Sequence, residues 1–196
     1  MIVRRGRPIR SEVHVLEMRA AAFARRGATI VPPTDLLLGE RESAALICPD
    51  ARAAAVAARM AAGIVKASEG AVYICGFDPR LQPVQSKRLA GFVSHALTSA
   101  DFASLDRYID YRAALWGLPR AQSIVQARHL RSAVREIDDA YAFPLVAALL
   151  ARPALLVLDR PAVACVSQIR SIAHDCAVLS THAGAQQADR FAAVRV

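Results

Sequence analysis

Two short runs near the carboxyl end constrain the fold more than any other feature of the chain. Ala154-Leu155-Leu156-Val157-Leu158 and Cys176-Ala177-Val178-Leu179-Ser180 are apolar almost throughout and show no alternation. A strand with one wet face alternates apolar and polar residues, whereas a strand covered on both faces does not. Both runs are short for helices and therefore read as strands buried inside a parallel sheet. Asp159 closes the first run, and Thr181-His182 follows the second.

The rest of the chain fits around these strands. Residues 13–18 alternate like a strand, Arg25-Arg26-Gly27 turns the chain, and Thr29-Ile30-Val31 can pair back. Leu36-Leu37-Leu38, then 39–42, then 44–48 read as strand, polar turn and buried strand. Residues 51–62 are strong helix formers, and Gly63 ends that helix. Ser68-Glu69-Gly70 reads as a turn, 71–76 as a short strand, and 89–93 as another. From about 101 to 150 the pattern is mostly helical, with a break at Gly117-Leu118-Pro119, and 191–196 closes as a strand. The expected fold class is α/β: a mostly parallel sheet with antiparallel N-terminal strands and a helical subdomain at about 97–150. One domain covers 13–196, behind a basic, flexible arm at 1–12.

Charge separates the function classes only in part. The net charge is +8, yet only Lys66 and Lys87 are lysines among the 25 basic residues. So arginine-rich and alanine-rich a chain reflects coding bias more than selection for a polyanion. Arg4, Arg5, Arg7 and Arg10 could bind nucleic acid or anionic lipid, but a solvated tail is the plainer reading. Cys48, Cys75, Cys165 and Cys176 form no C-x-x-C pair and have no histidine at ligand spacing. Cys48, Cys75 and Cys176, in or beside apolar strand-like runs, read as reduced core residues, and no metal site is expected. No apolar run reaches the ~18 residues of a membrane span, and the N-terminus has no secretory pattern. The expected location is cytoplasmic, peripheral to the inner face of the cell membrane.

In order along the chain, the motifs resemble the ATP-binding cassette (ABC) ATPase domain. An apolar strand delivering Asp159 resembles its Walker B strand, and Ser180-Thr181-His182 its switch histidine. Gly39-Glu40-Arg41 resembles the turn ahead of the phosphate loop. Residues 68–79 resemble its early hairpin, and Gly91-Phe92-Val93 the strand into the Q-loop. Leu115-Trp116-Gly117-Leu118-Pro119 resembles a helical-subdomain segment, and Ala188-Asp189-Arg190 the residues before the last strand. The resemblance spans nearly the whole chain and implies a P-loop-type scaffold whose ligand is ATP with magnesium.

The departures from that family are as informative. No Gly-x-x-x-x-Gly-Lys-[Ser/Thr] occurs in the sequence. Aligning 47–50 on the family's strand end puts 48–56 in the phosphate loop, without its glycines, lysine or hydroxyl. Those glycines let backbone N–H groups cradle phosphate, the lysine charges the β/γ-phosphates, and the hydroxyl holds Mg²⁺. Arg160 stands where the family has its catalytic glutamate, and Ser94 or His95 at the Q-loop glutamine. Residues 136–141 stand in place of the signature. The stretch between Pro161 and Leu179 is shorter than the family pattern, implying a trimmed loop and helix.

The expectation is a catalytically inactive ABC-type subunit with no catalytic residue, structural or regulatory in a membrane export complex. It binds no cofactor, or at most ATP and magnesium weakly. Asp159, His182 and Phe23 are vestiges of nucleotide contacts. Asp159 can instead cap a loop or pair with Arg160 or Arg190, His182 can be a structural histidine, and Phe23 a core residue. His95, Phe102, Tyr108 and Trp116 are the candidate partner contacts, and core packing is the competing reading of the three aromatics. The implied partners are a membrane permease subunit, an active ABC ATPase paralogue, or both, in a hetero-oligomer. Two alternatives are a weak nucleotide-binding subunit beside an active paralogue and a binding module using the basic arm, with nucleic acid the less favoured partner.

Overall fold

The computed structural model describes residues 14–94, 104–184 and 193–195. Its elements are β1 (Leu16–Arg25), β2 (Ala28–Leu38), β3 (Ser43–Cys48), α1 (Ala51–Ala61), β4 (Glu69–Ile74), α2 (Pro83–Leu89) and β5 (Ala90–Ser94). Then come α3 (Leu105–Trp116), α4 (Arg120–Ala133), α5 (Asp139–Leu150), β6 (Leu155–Asp159), α6 (Val163–Ile172), β7 (Ala177–Ala183) and β8 (Ala193–Arg195). Five strands form a parallel sheet in the order β5-β6-β7-β3-β8, and three form a second, antiparallel sheet in the order β2-β1-β4. The α/β class expected from the two apolar runs is the one observed. Every residue of β6 is buried, as its unbroken apolar run requires.

Helix α1 lies between the sheets. Its buried face is mostly alanine (Ala53, Ala54, Ala57, Ala58 and Ala61), with Met60. Around it pack Leu16, Met18, Val31 and Leu36 from the antiparallel sheet and Leu155, Val157 and Leu179 from the parallel one. On the other face of the parallel sheet, Leu156, Leu158 and Val178 meet Leu145, Val146 and Leu149 of α5 and residues of α3, α4 and α6. Each buried leucine or valine of β6 contributes about 1.5–3 kcal/mol by leaving water.

The local signals explain where elements stop. Beyond α1, the Gly63 N–H bonds Met60 O at 3.0 Å and the Ile64 N–H bonds Arg59 O at 2.8 Å, with Gly63 at φ +70. This double closure with a left-handed glycine is the Schellman end that Gly63 announced. Arg26 and Gly27 both have positive φ between Arg25 and Ala28, which pair, so the first hairpin turns on two residues.

Several expectations are corrected. Residues 29–31 and 36–38 belong to one strand, β2, broken in register around Pro32-Pro33. It tolerates two missing N–H groups because it is an edge strand. Ser68-Glu69-Gly70 is not a free turn, because β4 already begins at Glu69. Helix α2 was not foreseen, although Pro83 at its start and Lys87-Arg88 in its last turn signal it. The helical stretch breaks a second time before Asp138, whose side chain caps α5 by accepting from the Ala140 N–H at 2.7 Å. Between Pro161 and Leu179, the stretch read as shorter than the family pattern, the chain keeps a ten-residue helix, α6, which does not bear on that reading. Residues 1–12, His95, Phe102 and 188–190 lie outside the described residues.

Candidate functional site

At the carboxyl end of the parallel sheet, Ser94, Asp159, Thr181 and Leu46 fall in one row across β5, β6, β7 and β3. Paired residues in such a row share a face of the sheet. Asp159 is 1% exposed. Its Oδ2 accepts from the Ser94 Oγ–H at 2.7 Å. Its Oδ1 accepts from Arg160 Nε–H at 2.8 Å, with a longer 3.5 Å contact from Arg160 Nη2 to Oδ2. Arg160 reaches back because its backbone is left-handed, at φ +49, while its own N–H bonds Thr181 O at 3.0 Å. The hydrogen bond to Asp159 raises the guanidinium pKa further, against an opposing effect of burial.

Thr181 is fully buried beside Asp159 in the row, and its Oγ1 has no hydrogen-bond partner among the described residues. His182 follows on the opposite face, as strand alternation dictates. Its Nε2 lies 3.0 Å from Ser180 Oγ, which in turn reaches Ala44 O at 3.4 Å. Both side chains are buried. Burial pushes the Tyr141 hydroxyl pKa up, and the charges of Asp159 and Cys165 add to the effect.

The approach to α1 is equally specific. Strand β3 ends at Cys48 and α1 starts at Ala51, so only Pro49 and Asp50 connect them. Asp50 is extended, at φ −144 and ψ 173, and its Oδ1 accepts from the Ala53 N–H at 2.7 Å. The first-turn N–H groups of a helix form a natural anion site, and here the chain's own carboxylate takes one of them. Cys48 beside it is pushed up to about 11, by burial first and then by the Asp50 charge, which leaves its thiol protonated at neutral pH. The start of α5, within the segment standing for the signature, also carries carboxylates. Asp138 caps it, and Asp139 is held by Arg131 through Nε at 3.0 Å and Nη2 at 2.7 Å.

The remaining candidates scatter. Phe23 is half-buried on β1, packed against the core around α1. Tyr108 is buried on α3, its ring centroid 6.3 Å from that of Phe143. Trp116 is 37% exposed beneath the Arg112 guanidinium, 5.0 Å from its ring centre, so of these two α3 aromatics only Trp116 faces outward. Sequence reasoning missed Asp50 as a cap, although an Asp directly before an alanine-rich helix is the usual signal. It placed Thr181 only within the Ser180-Thr181-His182 run and gave it no role of its own.

No family model and no curated protein matches the chain. Solved structures do. An ATP-binding subunit of an ABC transporter superposes with a TM-score of 0.73 at 15% identity, covering 93% of this chain and 85% of its own. A protein of Pyrococcus furiosus described as an ABC transporter ATP-binding protein gives 0.68 at 14% identity, covering 92% and 96%. The cbiO1 protein of Clostridium perfringens, part of the ABC transporter complex cbiONQ, gives 0.67 at 13% identity, covering 87% and 79%. The chain thus has the fold of ABC transporter ATP-binding subunits over nearly its full length.

Proposed function

We propose that this chain is a catalytically inactive ABC-type subunit, acting as a structural or regulatory member of a membrane transport complex of the export kind. The observation that carries the reading is Asp50. In a phosphate loop, glycine N–H groups, a lysine and a hydroxyl gather around phosphate and magnesium. Here a two-residue connector leads straight into α1, and the Asp50 carboxylate occupies the helix N-terminus. A triphosphate brought there would meet a negative charge. Arg160, in place of a general base, lays a guanidinium against Asp159. The residues present do not fit a magnesium nucleotide, and no hydrolytic step is assigned to them.

The partnering half of the reading rests on the fold. The similar cbiO1 protein is part of an ABC transporter complex, and among the described residues no helix is long and apolar enough to cross a membrane. A membrane permease, an active ATPase paralogue, or both would bring the chain to the inner membrane face. The test is mild detergent purification of the tagged chain from its own host. Permease or ATPase in a fixed stoichiometric ratio, with a turnover that survives Asp159→Ala in this chain, is the expected result. A chain that hydrolyses ATP alone, with a rate abolished by Asp159→Ala, contradicts the proposal.

A further inference from the structure

We propose that a cavity at the amino end of the parallel sheet binds a small amphipathic acid, an apolar body carrying one carboxylate, with Arg152 as its anion contact. The cavity lies at the opposite end of the strands from Asp159 and takes no part in the inactive-subunit reading.

The topology makes the cavity. Strands β5, β6 and β7 run parallel, so Leu89, Ala154 and Cys176, each one residue ahead of its strand, gather at one end and form the floor. Leu130 of α4, Leu149 of α5 and Ile172 of α6 supply apolar walls around a volume of about 650 Å³. Leu89, Leu130 and Ile172 pack on the two cores yet remain partly uncovered. A space of this size, with apolar walls and a few polar groups, is the usual form of a small-molecule site. Burial first, then the Asp175 charge, pushes the Cys176 thiol up, which leaves it uncharged at neutral pH. Asp175 and Arg152 also line the cavity. Asp175 is answered by Arg41 and His174, each at 3.4 Å. Arg152 makes no ion pair among the described residues, so the charge left over is positive. Arg152 also holds a costly conformation. It follows α5 at φ +49, where its N–H closes on Leu149 O at 3.0 Å, and glycine is the residue that takes such a position without strain. The chain keeps instead a long cationic side chain beside an apolar cavity. An acid with an apolar body answers both, its carboxylate on the guanidinium and its body among the leucines.

Dodecanoate, below its micelle-forming concentration and with no nucleotide present, is the probe, titrated into the full chain in a calorimeter. The wild type should show one saturable site, and dodecylammonium, the same body with the opposite charge, should bind more weakly. Arg152→Gly removes the cation and the strain together. It should melt no lower than the wild type, bind dodecanoate roughly fivefold more weakly and lose the preference for the anion. Arg152→Lys, which keeps the charge, should bind close to the wild type. Gln126→Trp, at an exposed α4 position that lines the cavity, should fill the space and weaken both ligands. Dodecanoate should also slow amide exchange in the second half of α4, because an occupied cavity ties that helix to α5 and α6. A wild type with no saturable dodecanoate binding, or binding that Arg152→Gly and Gln126→Trp both leave unchanged, overturns the proposal. Neither result bears on catalysis: the inactive-subunit reading fails only if the wild-type chain binds or hydrolyses ATP.

Discussion

Asp50 and Asp78 show how much single side chains carry in this chain. Replacing Asp50 by alanine leaves the Ala53 N–H unanswered, and loss of such a cap costs about 1 kcal/mol, measurable by denaturant unfolding. Asp50→Asn, which keeps the acceptor and removes the charge, should cost much less. Asp78 is 7% exposed and accepts from the Arg80 backbone N–H at 2.8 Å and from its Nη2 at 2.8 Å. The side-chain bond to Arg80 holds its carboxyl below the ordinary 3.8. A carboxylate depressed in the folded state stabilises the fold above its unfolded pKa, and that contribution fades as pH falls through the folded value. Stability measured from pH 6 downward should therefore fall less steeply in Asp78→Asn than in the wild type. Neither residue stands out in the sequence as more than a turn aspartate, because the cap and the clamp are visible only once the N–H groups they face are placed.

At the scale of elements, legibility followed the physics of burial. Strands β6 and β7 were readable because both faces are covered and their runs do not alternate. Helix α1 was readable from its alanines, down to its glycine end. Strand β2 was not, because Pro32-Pro33 argues against a strand unless its edge position is known. The join of β1 and β4 was also hidden. At Ala20 the backbone turns left-handed, φ +42, and its N–H is taken by Asp35 Oδ1 at 2.8 Å across the hairpin. Opposite this bulge, Gly70 has φ +69, and a Cβ there would lie 2.2 Å from Ala20 O. Gly70→Ala should thus destabilise by well over about 1 kcal/mol and loosen β4 first, seen as faster amide exchange at residues 71–74.

Across the whole molecule, the layered scaffold is that of ABC transporter ATP-binding subunits, and the loss of their nucleotide site is our proposal. Each face of the parallel sheet is covered by one continuous apolar cluster, and Leu158, fully buried in the cluster that includes residues of α5 and α6, is typical of them. Leu158→Ala should cost about 2–5 kcal/mol and melt the domain as one unit. The fold was legible because its strands must be buried whatever the chain does. The site was legible only through what its motifs lack: sequence placed Asp159 and His182 at strand ends, while the packing that occupies them, Ser94 and Arg160 on one face and Ser180 on the other, required the register. The central claim is that a scaffold of the ABC type persists here without holding its nucleotide. Titrating the purified chain with ATP and magnesium in a calorimeter tests it most directly. The account predicts no saturable heat at millimolar nucleotide in the wild type. Saturable binding, lost on Asp159→Ala, would contradict it.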